Sequence, residues 1–174
     1  DLMIFYDGTF FGLLNPFALL AGLVSIAMLT MHGAAWLQLK AEGPVQLRAR
    51  KIGSVAALVT IVAYLLAGAW MATGISGYAI SGTVVTEGPS NPLLGEVMRT
   101  SSWFAAYSER PWIAVAPVLG VIGVVLAFFG LRAGREVSTL LYSKLAITGI
   151  ISSVGLTMFP FILPSSIDPK SSLT

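Results

Sequence analysis

One imidazole, one lysine inside an apolar run and a few scattered carboxylates are the groups in this sequence best able to do chemistry. His32 comes first, because a ring nitrogen can ligate a metal, haem iron included, or relay protons. A metal site needs further ligands at a matching spacing, and the chain has a single His and no Cys. His32 therefore reads as a hydrogen-bonded or helix-interface residue, with a ligand or relay role as the competing reading. Lys144 sits near the beginning of its apolar run, where its stem can carry the ammonium back to a membrane surface; a buried functional charge is the alternative. The carboxylates of Asp1, Asp7, Glu87, Glu96, Glu109 and Asp168 all fall outside the apolar runs. A proton pump or ion transporter usually needs an acidic group in the middle of a span. No Ser-His-Asp set can be assembled, because the acids and His32 fall on opposite sides of the membrane in the arrangement derived below. Gly12, Gly22, Gly33 and Gly43 form no phosphate loop, since no Gly-rich turn joins a strand to a helix. The residues alone thus predict no catalytic group and no metal ligand, and they leave cofactor-binding residues open.

The scaffold that must place these groups is strongly apolar. Of 174 residues, 56% are hydrophobic and 10% charged, against about 25% charged in a soluble domain. Lipid is the solvent such a composition demands. The net charge is only +2, and no basic cluster exceeds Arg48, Arg50 and Lys51, which is too small a footprint for nucleic acid. The lack of cysteine excludes disulfides, thiol catalysis, iron–sulfur ligation and cysteine-based zinc sites. The chain begins at Asp1 rather than Met and stops in a polar tail, which reads as a fragment of a larger membrane protein.

Residues 8–39 carry no charge, longer than the roughly 20 helical residues that cross a hydrocarbon core. Asn15-Pro16 is a helix-start signal, Asn accepting from a free N–H and Pro occupying the first turn. The expected fold is an all-α integral membrane protein: a bundle of four transmembrane helices over approximately 16–40, 52–75, 111–131 and 137–161, forming one membrane domain over 1–174. Residues 76–110 form the long polar loop. Within it Asn91-Pro92 repeats the start signal, and Leu93, Val97, Phe104 and Tyr107 recur near helical spacing. That predicts a surface amphipathic helix over 92–107. Pro117 lies early in the third helix, so a mild kink or wide first turn is expected.

Seven of the ten basic residues (Lys40, Arg48, Arg50, Lys51, Arg132, Arg135 and Lys144) fall on one side of this arrangement. The positive-inside rule makes that side cytoplasmic and puts both ends and the 76–110 loop outside. Small residues should bring the helices together, because lipid tails leave no hydrophobic drive between them. The third helix has Ala116, Gly120, Gly123, Ala127, Gly130 and Gly134 at a 4-3-4-3-4 spacing. The second has Gly53, Ala56, Thr60, Ala63, Ala67 and Gly74 on one face, with Trp70 where a small residue would fall. The first has a shorter patch, Ala18, Ala21, Gly22 and Ser25. These seams are expected to face neighbouring helices.

Phe10-Phe11, the run from Leu14-Asn15-Pro16-Phe17 to Ser25, and His32-Gly33-Ala34-Ala35-Trp36-Leu37 together resemble subunit II of the cytochrome bd-type quinol oxidases. So do Leu47-Arg48-Ala49-Arg50, Ser90-Asn91-Pro92-Leu93 and Met158-Phe159-Pro160-Phe161 with Pro164-Ser165-Ser166. The resemblance extends in order and spacing over nearly the whole chain and looks like the family's C-terminal half without its last helix. It implies a part in a respiratory complex of a bacterial or archaeal cell membrane that oxidises quinol and reduces dioxygen to water. It further implies that the b- and d-type haems belong to a partner, subunit I, which this subunit scaffolds and stabilises. Membrane lipid, a quinone or quinol and small accessory subunits are the other partners implied. The family's acidic proton-route residues would lie in the absent half, and His32 would be structural. The alternative from a different class is a helical-bundle half of a permease. That would show paired, Gly/Pro-broken helices, and Pro117 has no counterpart in another span.

Overall fold

A computed structural model describes residues 9–81, 96–165 and Ser172 of the chain. Its main helices are α1 (Pro16–Lys40), α2 (Gly43–Gly74), the short α3 (Ala105–Glu109), α4 (Val115–Ala133) and α5 (Glu136–Met158). A hairpin of β1 (Gly77–Ser81) and β2 (Glu96–Thr100) lies between α2 and α3. Among the described residues four helical stretches are long and apolar enough to cross a membrane: Pro16–Lys40, Gly43–Gly74, Pro111–Ala133 and Glu136–Met158. They form a bundle in which α1 packs on α2, α2 on α4, α4 on α5, and α5 closes the ring against α1.

Local chemistry sets the helix ends. Asn15 caps α1, its Oδ1 accepting from the Ala18 N–H at 2.8 Å, with Pro16 in the first turn. The link to α2 is only Ala41 and Glu42, because Gly43 takes a left-handed φ of 63° and Pro44 starts the next helix at once. Arg48, Arg50 and Lys51 are consequently on a helix, not in a loop. Gly134 (φ 70°) ends α4: its N–H and that of Arg135 both reach the Gly130 carbonyl, a turn that reverses the chain into α5. Pro117 sits in the first turn of α4, directly after a 3-10 turn over Pro111–Ala114, where its missing N–H costs no bond.

The interior is rich in small residues beside a few large ones such as Met31, Val124 and Leu131, and most large aliphatics lie on the exterior. Ala116, Gly120, Gly123, Ala127 and Gly130 of α4 are buried, so this seam faces its neighbours. A methyl on Gly120 would lie 3.0 Å from the Ile150 backbone N, and one on Gly123 would lie 2.7 Å from the Ala146 Cα. On α2, Gly53, Ala56, Thr60 and Ala63 are buried, whereas Trp70 and Gly74 are exposed. Gly53 sits where three helices meet, 2.6 Å from the Ala34 Cβ and 3.0 Å from Leu131 when given a Cβ. Large residues such as Leu19, Ile26, Val55, Leu65, Phe129 and Ile151 point outward, the reverse of a soluble core.

Two expectations are corrected. The small patch of α1 does not pack inward: Ala21, Gly22 and Ser25 are exposed, and Val24, Ala27, Met28, Met31, Ala34 and Ala35 make the contact instead. In lipid a small residue carries no penalty on either face, so composition alone did not orient this helix. No single amphipathic helix over 92–107 forms either. Glu96–Thr100 is a strand paired antiparallel with Gly77–Ser81, Val97 opposite Ile80, and helix returns only over Ala105–Glu109. The expected start at Asn91-Pro92 lies outside the described residues. Non-local pairing with β-forming Tyr78 and Ile80 overrides the helical spacing. The hairpin is anchored by an aromatic cluster, Trp103 lying 5.6 Å from Tyr78 and 6.0 Å from Phe161 between centroids.

Gly123→Leu should drive α4 and α5 apart and lower stability by about 1–3 kcal/mol or more, the cost of overpacking. Gly22→Ala, with nothing within 4 Å of its Cβ, should be neutral or slightly stabilising by helix propensity. Thermal unfolding of the two variants in one detergent reads the contrast, and equal midpoints would contradict the seam.

Candidate functional site

Four of the buried polar residues inside the bundle lie on α5. Thr139, Ser143, Ser153 and Thr157 are all buried, and with Ala146 and Ile150 they keep a 4-3-4-3-4 spacing on one face. Each hydroxyl has one hydrogen, and each spends it on the backbone of its own helix. Ser143 donates to the Leu140 carbonyl at 2.8 Å, Ser153 to Ile150 at 2.7 Å and Thr157 to Ser153 at 2.6 Å; Thr139 does so to Arg135. A group arriving from another helix at these three oxygens can then donate to them without displacing the intrahelical bond.

Three interhelical bonds form there. His32 on α1 meets the Ser143 Oγ through Nδ1 at 2.9 Å, and with the Ser143 hydrogen kept on its own helix Nδ1 is the donor and Nε2 keeps its lone pair. Tyr64 on α2 donates its hydroxyl to Ser153 at 2.7 Å. Tyr107 on α3 donates to Thr157 at 2.8 Å, tying the segment after the hairpin to the bundle. Sequence reasoning singled out His32 but missed its partner and the whole hydroxyl seam. The signal was present in the 139-143-153-157 spacing, masked because Ser and Thr are also common as lone, self-bonded residues in membrane helices.

At the basic end Gln46 bridges three helices, donating from Nε2 to the Gln38 carbonyl of α1 at 2.8 Å and to Glu136 Oε1 of α5 at 2.9 Å. Arg50 reaches the Gly134 carbonyl at 3.5 Å, its guanidinium lying over the glycine where any Cβ would collide. The side chain of Gln38 is 0% exposed, and its Oε1 and Nε2 have no hydrogen-bond partner among the described residues. Lys144 is exposed on α5, eight residues after Glu136. Among the described residues no group of three or more His, Cys, Asp or Glu side chains could hold a metal ion. The arrangement can hold helices in register and fix the orientation of the side chains it brings together.

Haem iron would need an axial ligand facing a cavity. His32 offers only Nε2, on a half-buried ring, and neither of the two apolar grooves on the α1–α2 face includes it. The described residues around His32 do not fit a haem.

A family model described as cytochrome bd terminal oxidase subunit II matches residues 1–174. Cytochrome bd-I ubiquinol oxidase subunit 2 of Escherichia coli (strain K12) is 41% identical over 174 residues, covering 99% of this chain and 46% of that protein. A probable cytochrome oxidase subunit 2 of Haemophilus influenzae is 39% identical over 169 residues, covering 97% of this chain and 44% of its own length. The chain thus spans about half the length of the curated relatives it matches.

Replacing Tyr64 by Phe removes one interhelical bond. It should cost about 0.6 kcal/mol, the average for such bonds in a membrane protein, and a double-mutant cycle with Ser153→Ala would isolate that coupling. Gln38→Met should be neutral or stabilising, since it removes two buried, unpaired polar atoms worth roughly 1–3 kcal/mol of desolvation. A lowered unfolding midpoint for Q38M would show that the amide is satisfied.

Proposed function

The chain belongs to the cytochrome bd terminal oxidase subunit II family, and from that premise we propose that it is a haem-free membrane part of a bd-type quinol:oxygen oxidoreductase. In this reading it scaffolds the haem-bearing subunit I, which oxidises quinol and passes the electrons to dioxygen. The observation that carries it is the match of the family across residues 1–174 at 41% identity to a ubiquinol oxidase subunit. Family membership sets aside the permease reading.

The interior supports a scaffolding role. Ser143, Ser153 and Thr157 each join a group from another helix, and Arg50 and Glu136 bind a carbonyl and an amide at one end of the bundle. The b- and d-type haems then reside in the partner, and a quinone and small accessory subunits are further members of the assembly. His32 acts as the donor that holds α1 against α5, a structural role. The chain is a multi-pass bacterial membrane protein. Its orientation has the α1–α2 and α4–α5 turns in the cytoplasm, because seven basic residues cluster there, with both ends of the chain and the hairpin outside.

Two measurements test this. His32→Ala in the purified complex should leave the b- and d-type haem absorption bands intact, and a lost band would make His32 a ligand. The chain has no cysteine, so single cysteines report sidedness cleanly. An impermeant maleimide added to spheroplasts should label S101C at once and E42C only after the membrane is opened. The opposite pattern would reverse the orientation.

A further inference from the structure

The α1–α2 face carries a furrow that the bundle leaves uncovered. Its lower part, about 400 Å³, is walled by Leu23, Ile26 and Thr30 of α1 and by Ile52, Val55 and Val59 of α2. Leu23 also lines a second groove of about 710 Å³, which continues between Pro16 and Trp70 to the other end of the helices. The walls are apolar apart from Thr30 and Lys51 at one end and Thr73 at the other, where Thr73 donates to the Ala69 carbonyl at 3.0 Å. Thr30 satisfies itself on the Ile26 carbonyl at 2.7 Å, so the polar group left at the mouth is the ammonium of Lys51. Arg48 lies three residues earlier on the same exposed side of α2. Neither cation has a hydrogen bond or ion pair among the described residues.

Helix length puts that mouth at a membrane surface. At 1.5 Å per residue, the 32 residues of α2 reach about 48 Å, against a hydrocarbon core of about 30 Å. The uncharged stretch after Lys51 is long enough to fill the core, so the surplus is the basic first third of α2, and Lys51 stands at the boundary between acyl chains and headgroups. An occupant of this furrow must be a long apolar chain with an anion at one end. A helix from another protein would have to bring a carboxylate to that boundary in register with Lys51. A phospholipid brings both parts at the right separation, and each cation near such a surface favours an anionic headgroup.

We infer that the furrow between α1 and α2 is a binding site for an anionic phospholipid, with an acyl chain along Leu23, Ile26 and Val55 and the phosphate held by Lys51 and Arg48. Assigning it to the cytoplasmic leaflet rests on the orientation proposed above; the site itself does not.

The test is native mass spectrometry of the intact complex, purified in mild detergent and titrated with phosphatidylglycerol or with phosphatidylcholine of the same acyl chains. The wild type should retain phosphatidylglycerol about tenfold better, and R48Q/K51Q should lose that preference. V55W, which fills the furrow, should reduce retention of both lipids. Because Arg48, Lys51 and Val55 are exposed, the variants should fold; haem content and complex mass check that they do. Equal retention of the two lipids by the wild type would overturn the site, as would unchanged phosphatidylglycerol binding in R48Q/K51Q or V55W. A carbodiimide cross-link from Lys51 to a carboxylate of another subunit would overturn it too, by naming a protein occupant. Lipid retention is read without reference to sidedness, so a failed maleimide experiment would move the site to the other leaflet without removing it.

Discussion

The approach of the α4 and α5 backbones at Gly120 and Gly149 is the contact on which the bundle depends. A Cβ on Gly149 would fall 2.8 Å from the Ala116 carbonyl and closer still to the Gly120 backbone, so no side chain can stand between the helices there. In water such a gap could be closed by burying leucines. In lipid, burying a leucine gains almost nothing, since its surroundings are equally apolar on either side. What remains is dispersion between well-matched surfaces, which falls off steeply with separation. Small residues are therefore where the attraction comes from, and the large aliphatics are left to face the bilayer.

Close approach also explains the hydroxyls of α5. A helix packed this tightly has little room for long polar side chains, yet it needs directional contacts to fix rotation and register. Ser143, Ser153 and Thr157 provide them cheaply: each satisfies its own hydrogen on the helix and offers a lone pair outward. Three neighbours, α1, α2 and α3, each bring one donor. Every such bond is weak, about 0.6 kcal/mol on average, but a helix rotated by one residue would lose all of them together and bury the orphaned donors.

Much of this was legible in the sequence, and the exceptions have physical causes. The four apolar runs and the α4 seam could be read because hydrocarbon thickness and the exclusion of side chains from a helix–helix contact constrain residue type directly. The facing of α1 could not be, because Ala21, Gly22 and Ser25 are equally comfortable against lipid. The start of α2 at Gly43 was hidden by Arg48, Arg50 and Lys51, which look like a loop yet form the part of a helix that protrudes from the membrane. The hairpin depended on a pairing between segments more than a dozen residues apart, which helical spacing in one of them does not reveal. His32 drew attention by its rarity, while the partner that defines its role is an ordinary serine.

The distribution of polar groups then separates the two ends of the bundle by material. At the basic end, amide and guanidinium groups clamp helix termini: Gln46 ties α1 to α5, and Arg50 covers the α4–α5 turn. At the other end, Tyr78, Trp103 and Phe161 form an aromatic plug beneath the hairpin, with Tyr78 donating to the Ser165 carbonyl at 2.9 Å. Amphipathic aromatics suit the headgroup region; charge-assisted bonds to free carbonyls suit helix ends that project past it. With both ends tied in this way and α4 packed backbone to backbone on α5, the outer faces of α1 and α2 are left uncovered. Beyond Ala63 the inner seam of α2 opens, and Trp70 lies against Phe17 instead of in the core. The face that the protein leaves for lipid or for its partners is the one its own packing does not need.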